Sequence, residues 1–138
     1  MKFPYFKTPR VDPRKKWVAR PIIPVVLSGP KKNIPIYALI DSGADKCLFN
    51  AEVGTEIGID LERGEKEYFS GIEAGRVVTY LHKIHLQISG IDKMIEVEAG
   101  FTAAQGVVAI LGQEGFFDNF RIKFEKDHNT IEITPVKD

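Results

Sequence analysis

Residues 38–49 read Ala-Leu-Ile-Asp-Ser-Gly-Ala-Asp-Lys-Cys-Leu-Phe. An apolar run of the kind that ends a buried strand stops on a carboxylate, Asp41, and turns at once through Ser42 and Gly43. Asp, Ser and Gly are common turn residues, so a strand followed by a plain turn is one reading. The other is that the strand presents Asp41 as a chemical group. Two carboxylates that share one proton can hydrolyse a peptide bond without metal or covalent intermediate. One accepts a proton from water while the other donates to the carbonyl oxygen, and at about 3 Å apart both cannot ionise, so their apparent pKa values split. Such a site needs an acid, a side chain that ties its loop down and a residue that lets backbones approach closely. Asp41, Ser42 and Gly43 supply these in order.

The other groups with chemistry in them are weaker candidates. His82 and His85 stand three apart, but on a strand that spacing puts them on opposite faces, and no Cys or carboxylate completes a metal set. The reading calls for no metal and no other cofactor. Cys47 is the only cysteine, so no intrachain disulfide can form, and its apolar surroundings suit a small core residue better than a nucleophile. Phe116, Phe117, Phe120 and Phe124 are spaced for core packing around a short helix and a strand rather than for stacking on bases.

The elements around these residues predict a mainly β chain of about eight short strands and two short helices. Ile22 to Leu27 and Ile34 to Ile40 flank turn chemistry and form a hairpin, with Pro21 and Pro24 suited to a sheet edge or a strand start. Cys47 to Phe49 resumes a strand, and Asn50 is placed to cap a helix that stops near Gly58. Leu81 to Ile88 alternates, with Ile84, Leu86 and Ile88 on its apolar side, and Met94 to Phe101 alternates after the Ser89-Gly90 turn. Val107 to Gly112 is a continuous apolar run, consistent with a strand buried on both faces. Glu114 to Phe120 suits one or two helical turns, and Arg121–Glu125 with Thr130–Thr134 predicts a last hairpin.

At 138 residues the chain has the size of one domain that needs no disulfide or metal to hold its core. Net charge is zero, so no global field draws it to nucleic acid or membrane. The balance conceals an asymmetry, because residues 1–20 carry seven basic residues and only Asp12 as an acid, a local +6 against −6 elsewhere. Pro4, Pro9, Pro13, Phe3, Tyr5, Phe6 and Trp17 in the same segment favour an arm, residues 1–18, that packs on its own domain or a partner subunit, with residues 19–138 as the main domain. A nucleic-acid-binding arm is the less favoured reading. The N-terminus lacks the apolar core of a signal peptide and no run approaches the roughly 18 apolar residues of a membrane span, so a cytoplasmic protein that does not enter membranes is expected.

Leu39-Ile40-Asp41-Ser42-Gly43-Ala44-Asp45 resembles the apolar-apolar-Asp-Thr/Ser-Gly-Ala-Asp pattern of the retropepsin-like aspartic proteases, the single-domain relatives of pepsin that include the retroviral proteases. Residues 108–124 look like that family's apolar-apolar-Gly strand, short helix and following strand. Residues 69–80, with Gly71 and Gly75 bracketing a tip, look more loosely like its flap hairpin. The resemblance covers roughly residues 20–135 and implies an all-β fold, closed and barrel-like, with one lobe per chain.

It also implies a hydrolase, an aspartic endopeptidase with Asp41 as catalytic acid and base. Ser42 and Gly43 would support the active-site loop, and Gly43, Ala44 and Asp45 would line the substrate. Gly71, Ile72, Glu73 and Ala74 would close over it. One departure stands out: Gln113 follows Gly112 where retroviral members carry an arginine that pairs with the equivalent of Asp45. A single Asp-Ser-Gly in a one-lobe chain means that the dyad must be completed by a second copy, so a homodimer acting on a peptide or protein is expected. The alternative from another class is a weakly active or inactive dimer of this fold that binds peptides or proteins without cutting them.

Overall fold

A computed structural model describes residues 1–9, 14, 16–70 and 76–137, with Phe69, Ser70, Arg76 and Val77 given by backbone alone. In chain order its strands are β1 (Lys2–Phe3), β2 (Phe6–Pro9), β3 (Trp17–Arg20), β4 (Ile22–Ser28), β5 (Asn33–Ile40) and β6 (Leu48–Asn50). After helix α1 (Ala51–Glu56) come β7 (Glu65–Ser70), β8 (Arg76–Ile88), β9 (Met94–Thr102) and β10 (Ala109–Leu111). Helix α2 (Phe116–Asn119) then leads to β11 (Phe120–Glu125) and β12 (Thr130–Pro135).

Alternation decides what faces inward. In β4 every second residue, Ile23, Val25 and Leu27, is fully buried, and β8 and β9 contribute Ile84, Leu86, Ile88, Ile95, Val97, Ala99 and Phe101 to the same core. Three neighbouring strands of one sheet with one apolar face each bury those faces together by curling, and here the sheet closes on itself. The order β4-β5-β10-β6-β9-β8 returns to β4 through the pairing of Val25–Ser28 with His85–Ile88, making a six-stranded barrel with β7 as an outer partner of β8. Closure removes the exposed edges that an open sheet would present. β8 pairs with β4 only from Val25 on, so Pro24 lies at the start of the strand, one residue before its second neighbour joins.

The N-terminal residues enter this architecture. β1 pairs with β12, which pairs with β11, in a separate three-stranded sheet. Phe3 and Tyr5 are buried in the common core with Ile131, Ile133, Phe116 and Phe120. Among the described residues β2 and β3 pair only with each other, and Phe6, at one end of that hairpin, sets its ring tilted against that of Tyr37 with centroids 5.4 Å apart.

Three expectations need adjustment. The described residues hold twelve strands rather than about eight, because residues 1–20 form pairings that alternation over so few residues does not reveal. The run Val107–Gly112 is not buried on both faces: only Ala109–Leu111 form a strand, and Val108 is 65% exposed. Its carbonyl still accepts the Asn50 N–H at 3.1 Å. The second helix is one turn, Phe116–Asn119, shorter than the stretch read for it.

Candidate active site

The topology puts the Asp41 segment at one end of the barrel and fixes its shape. β10 runs parallel to β5, with Ile110 beside Leu39 and Leu111 beside Ile40. It runs antiparallel to β6, with Ala109 beside Phe49 and Ile110 beside Leu48. β10 is therefore inserted between two strands that are adjacent in sequence, and residues 41–47 must pass across its end.

Each step of that passage is held by backbone. The Asp41 N–H donates to the Leu111 carbonyl at 2.9 Å. Asp41 is half-buried as a residue; its carboxylate accepts the Gly43 N–H through Oδ1 at 2.9 Å, and the Ala44 N–H donates to the Asp41 carbonyl at 3.2 Å. On the far side, the Gln113 N–H donates to the Ala44 carbonyl and the Glu114 N–H to the Asp45 carbonyl, both at 2.8 Å. Between these, Gly112 lets the two segments touch: a Cβ there would lie 2.4 Å from the Lys46 carbonyl oxygen and 2.7 Å from that of Ala44.

Gln113, read from the sequence only as a missing arginine, makes a contact of its own. Its side-chain amide donates to the Ser42 carbonyl at 2.7 Å. The loop is thus tied across within a single chain through Ser42's main chain. A polar residue directly after an apolar-apolar-Gly strand end was the available signal, but its partner lies 71 residues away.

Gly43, Ala44 and Asp45 line a cavity of about 240 Å³ together with Lys46, Leu48 and Ile110. Asp45 is exposed. Beside it the Lys46 ammonium lies 3.6 Å from Glu67, 3.5 Å from Glu98 and 4.0 Å from Glu114. Partial burial works against that charge, but the three carboxylates outweigh it and hold the ammonium pKa above its ordinary value. Sequence reading passed over Lys46 and its partners, which come from three separate parts of the chain.

The other singled-out groups add no reactive side chain to this place. Cys47 is fully buried, and burial pushes its thiol pKa up. His82 is within 2.8 Å of the Leu61 carbonyl through Nε2 and sets its ring against Phe101, whereas His85 is exposed, 3.8 Å from Glu96. Among the described residues no group of three or more His, Cys, Asp or Glu is arranged to hold a metal ion. No described helix is long and apolar enough to cross a membrane. β7 and β8 form a hairpin in register from Glu65–Leu81 to Ser70–Arg76, and its tip, with Gly71, Ile72, Glu73 and Ala74, lies outside the described residues.

No protein-family model matches the sequence, and no curated protein does. Solved structures do. A retropepsin-like aspartic protease from Rickettsia conorii superposes with a TM-score of 0.61 over 82% of this chain and 89% of its own, at 14% identity. The fold is retropepsin-like. The retroviral protease-like domain of Ddi1 from Leishmania major gives a TM-score of 0.56 over 86% of this chain and 96% of its own, at 15% identity. At such identities it is the architecture that is shared. In this retropepsin-like chain the barrel, the inserted β10 and the loop it props form one lobe, with the Asp41 loop at the barrel's end.

Proposed function

We propose that the chain is an aspartic endopeptidase that works as a homodimer. The observation that carries this reading is the Asp41 loop: the Asp41 N–H is bonded to the Leu111 carbonyl and its carboxylate accepts the Gly43 N–H, next to an open cavity. A plain surface turn has no need of the two further main-chain ties to Gln113 and Glu114 or of a glycine packed against it. Rigid placement is what acid–base chemistry requires, since a misplaced group loses its advantage.

One lobe presents one such carboxylate, so the reaction needs the Asp41 of a second copy across a two-fold axis. The pair holds a single proton. The ionised member takes a proton from water, whose oxygen forms a bond to the peptide carbon. The protonated member gives its proton to the carbonyl oxygen. On collapse of the tetrahedral diol the C–N bond breaks as the member that took the water proton passes it to the leaving nitrogen, and the other recovers a proton from a diol hydroxyl. Substrate binds extended, as an added strand that main-chain hydrogen bonds hold and side-chain pockets sort.

The test is peptide cleavage by purified protein in the presence of chelator, with mass measured by light scattering. Cleavage should follow a bell-shaped pH profile, track the dimer, and disappear in Asp41→Asn while fold and dimer persist. Cleavage by a strict monomer, or by the Asp41→Asn protein, would overturn the mechanism. A dimer that binds peptides and leaves them whole would instead be a recognition module.

A further inference from the structure

The first residues of the N-terminal arm pack on their own domain, with Phe3 and Tyr5 buried. The ribbon that follows is covered far less. Among the described residues β2 and β3 pair only with each other, and two strands alone give their side chains little cover. Trp17 is 51% exposed, Phe6 42% and the neighbouring Tyr37 60%. Each of these rings has a cation or a cavity beside it. The Lys7 ammonium lies 5.0 Å from the centre of the Trp17 ring. Phe6 is directly paired with Arg20, so those two side chains share a face, and the Arg20 Nε–H donates to the Thr8 hydroxyl at 3.2 Å. Phe6 and Tyr37, with Tyr5, Pro4 and Pro24, also line an open cavity of about 260 Å³.

Charge selects the occupant. The described part of residues 1–20 includes the exposed Lys7, Lys16 and Arg20 and no acid, and the segment's +6 stands against −6 over the rest of the chain. A polyanion is therefore drawn to the ribbon and repelled elsewhere. An acidic peptide would use the cations and leave the exposed rings idle. A single nucleic-acid strand uses both, because its phosphates meet lysine and arginine while its unpaired bases stack on aromatic faces. Composition shows the charge; only the structure shows that the rings beside it are open. We propose that the β2–β3 ribbon, together with Tyr37, is a docking surface for single-stranded nucleic acid. Phosphates lie at Lys7, Lys16 and Arg20, and bases lie on Trp17 and in the cavity between Phe6 and Tyr37. These contacts read neither base edges nor the sugar, so binding is indifferent to sequence and a DNA strand serves as probe. A duplex, whose bases are already stacked on one another, binds more weakly. This function does not depend on the endopeptidase reading.

Trp17 is the only tryptophan, so its emission reports on the ribbon alone. An oligothymidylate of roughly twelve nucleotides, within the site sizes such surfaces cover, is titrated into the full chain at low salt. It should quench that emission, and anisotropy of a labelled copy should give the same Kd. The logarithm of the association constant should fall against log salt with a slope of about 2, from ~0.7 for each of the three cations that meets a phosphate. Lys7→Gln/Lys16→Gln/Arg20→Gln should weaken binding and flatten that slope. Trp17→Leu should weaken it on the order of tenfold, the scale of one stacked base, while Trp17→Phe keeps most of it. Tyr37→Leu, on the barrel strand β5, should also weaken binding, which separates lost stacking from a disturbed ribbon. Asp41→Asn should bind as the parent does, whether or not the parent cleaves peptides. Absence of quenching at low salt, or displacement of the oligonucleotide by oligoglutamate of equal charge at equal concentration, overturns the proposal. So does Trp17 emission that follows protein concentration and ignores oligonucleotide, which would assign the ribbon to a second copy.

Discussion

The tightest constraint on the site is a residue that carries no chemistry. Gly112 sits where any side chain would press on the carbonyls of Lys46 and Ala44, and both are main-chain atoms that cannot swing aside. Gly112→Ala should therefore cost ~1–3 kcal/mol, the scale of overpacking in a closed structure, and lower cleavage more than the lost stability explains. Urea unfolding and peptide turnover at a temperature where the variant stays folded separate the two effects. Cys47 supplies a second prediction. Because burial raises its thiol pKa, the folded chain holds that proton more tightly than the unfolded one. The resulting stability is complete below the ordinary thiol pKa of ~8.5 and falls as pH rises through and beyond it. Lys46, also raised, adds a loss that begins only above ~10.4. In Cys47→Ala the earlier decline of the urea midpoint with pH should vanish and the later one remain. Of these residues, Asp41 to Asp45 were legible as a candidate site, since acid, hydroxyl and glycine stand side by side. The Gln113 bond was not, because its acceptor is a distant carbonyl that any residue would offer.

At the scale of elements, short pieces depend on their ends. α1 has six residues, too few to persist by propensity alone, and Asn50 secures it from both directions. Its side chain accepts the Glu52 N–H at 2.9 Å and donates to the Val107 carbonyl at 3.1 Å. Asn50→Ala should cost ~1 kcal/mol or somewhat more, while Asn50→Asp keeps the cap and loses only the bond to Val107. Chemical denaturation of the three proteins gives that order of stability if the cap dominates. The sequence showed this cap plainly, as it showed β8 and β9, whose alternation repeats over enough residues to identify a face. It misjudged Val107–Gly112, where apolar character suggested burial on both sides. Apolarity is necessary for a buried strand but does not ensure it, and Val108 is exposed beside the segment that leads to the site.

At the scale of the molecule, the first residues are part of the core. Phe3 is 6% exposed and Tyr5 8%, and the Met1 carbonyl accepts the Ile133 N–H at 2.8 Å. Phe3→Ala should destabilise the whole chain by about 3 kcal/mol, seen as a lower urea midpoint with an unchanged slope; a shift confined to the N-terminal segment would show that it unfolds separately. Composition indicated that these residues pack on something, but a two-residue strand has no pattern of its own, and β1 exists only because β12, some 130 residues later, lies beside it. By itself the sequence determined what local chemistry determines: the mainly β character, the alternating faces, the cap at Asn50 and the acid-bearing turn at Asp41. Tertiary structure decided what depends on partners distant in the chain. These are the closure of β4 on β8, the insertion of β10 between β5 and β6, the Gln113 tie and the three carboxylates around Lys46. The physical reason is the same in each case: a backbone group or charge binds whatever the fold brings near it, and nearness across a closed barrel is not written in sequence spacing.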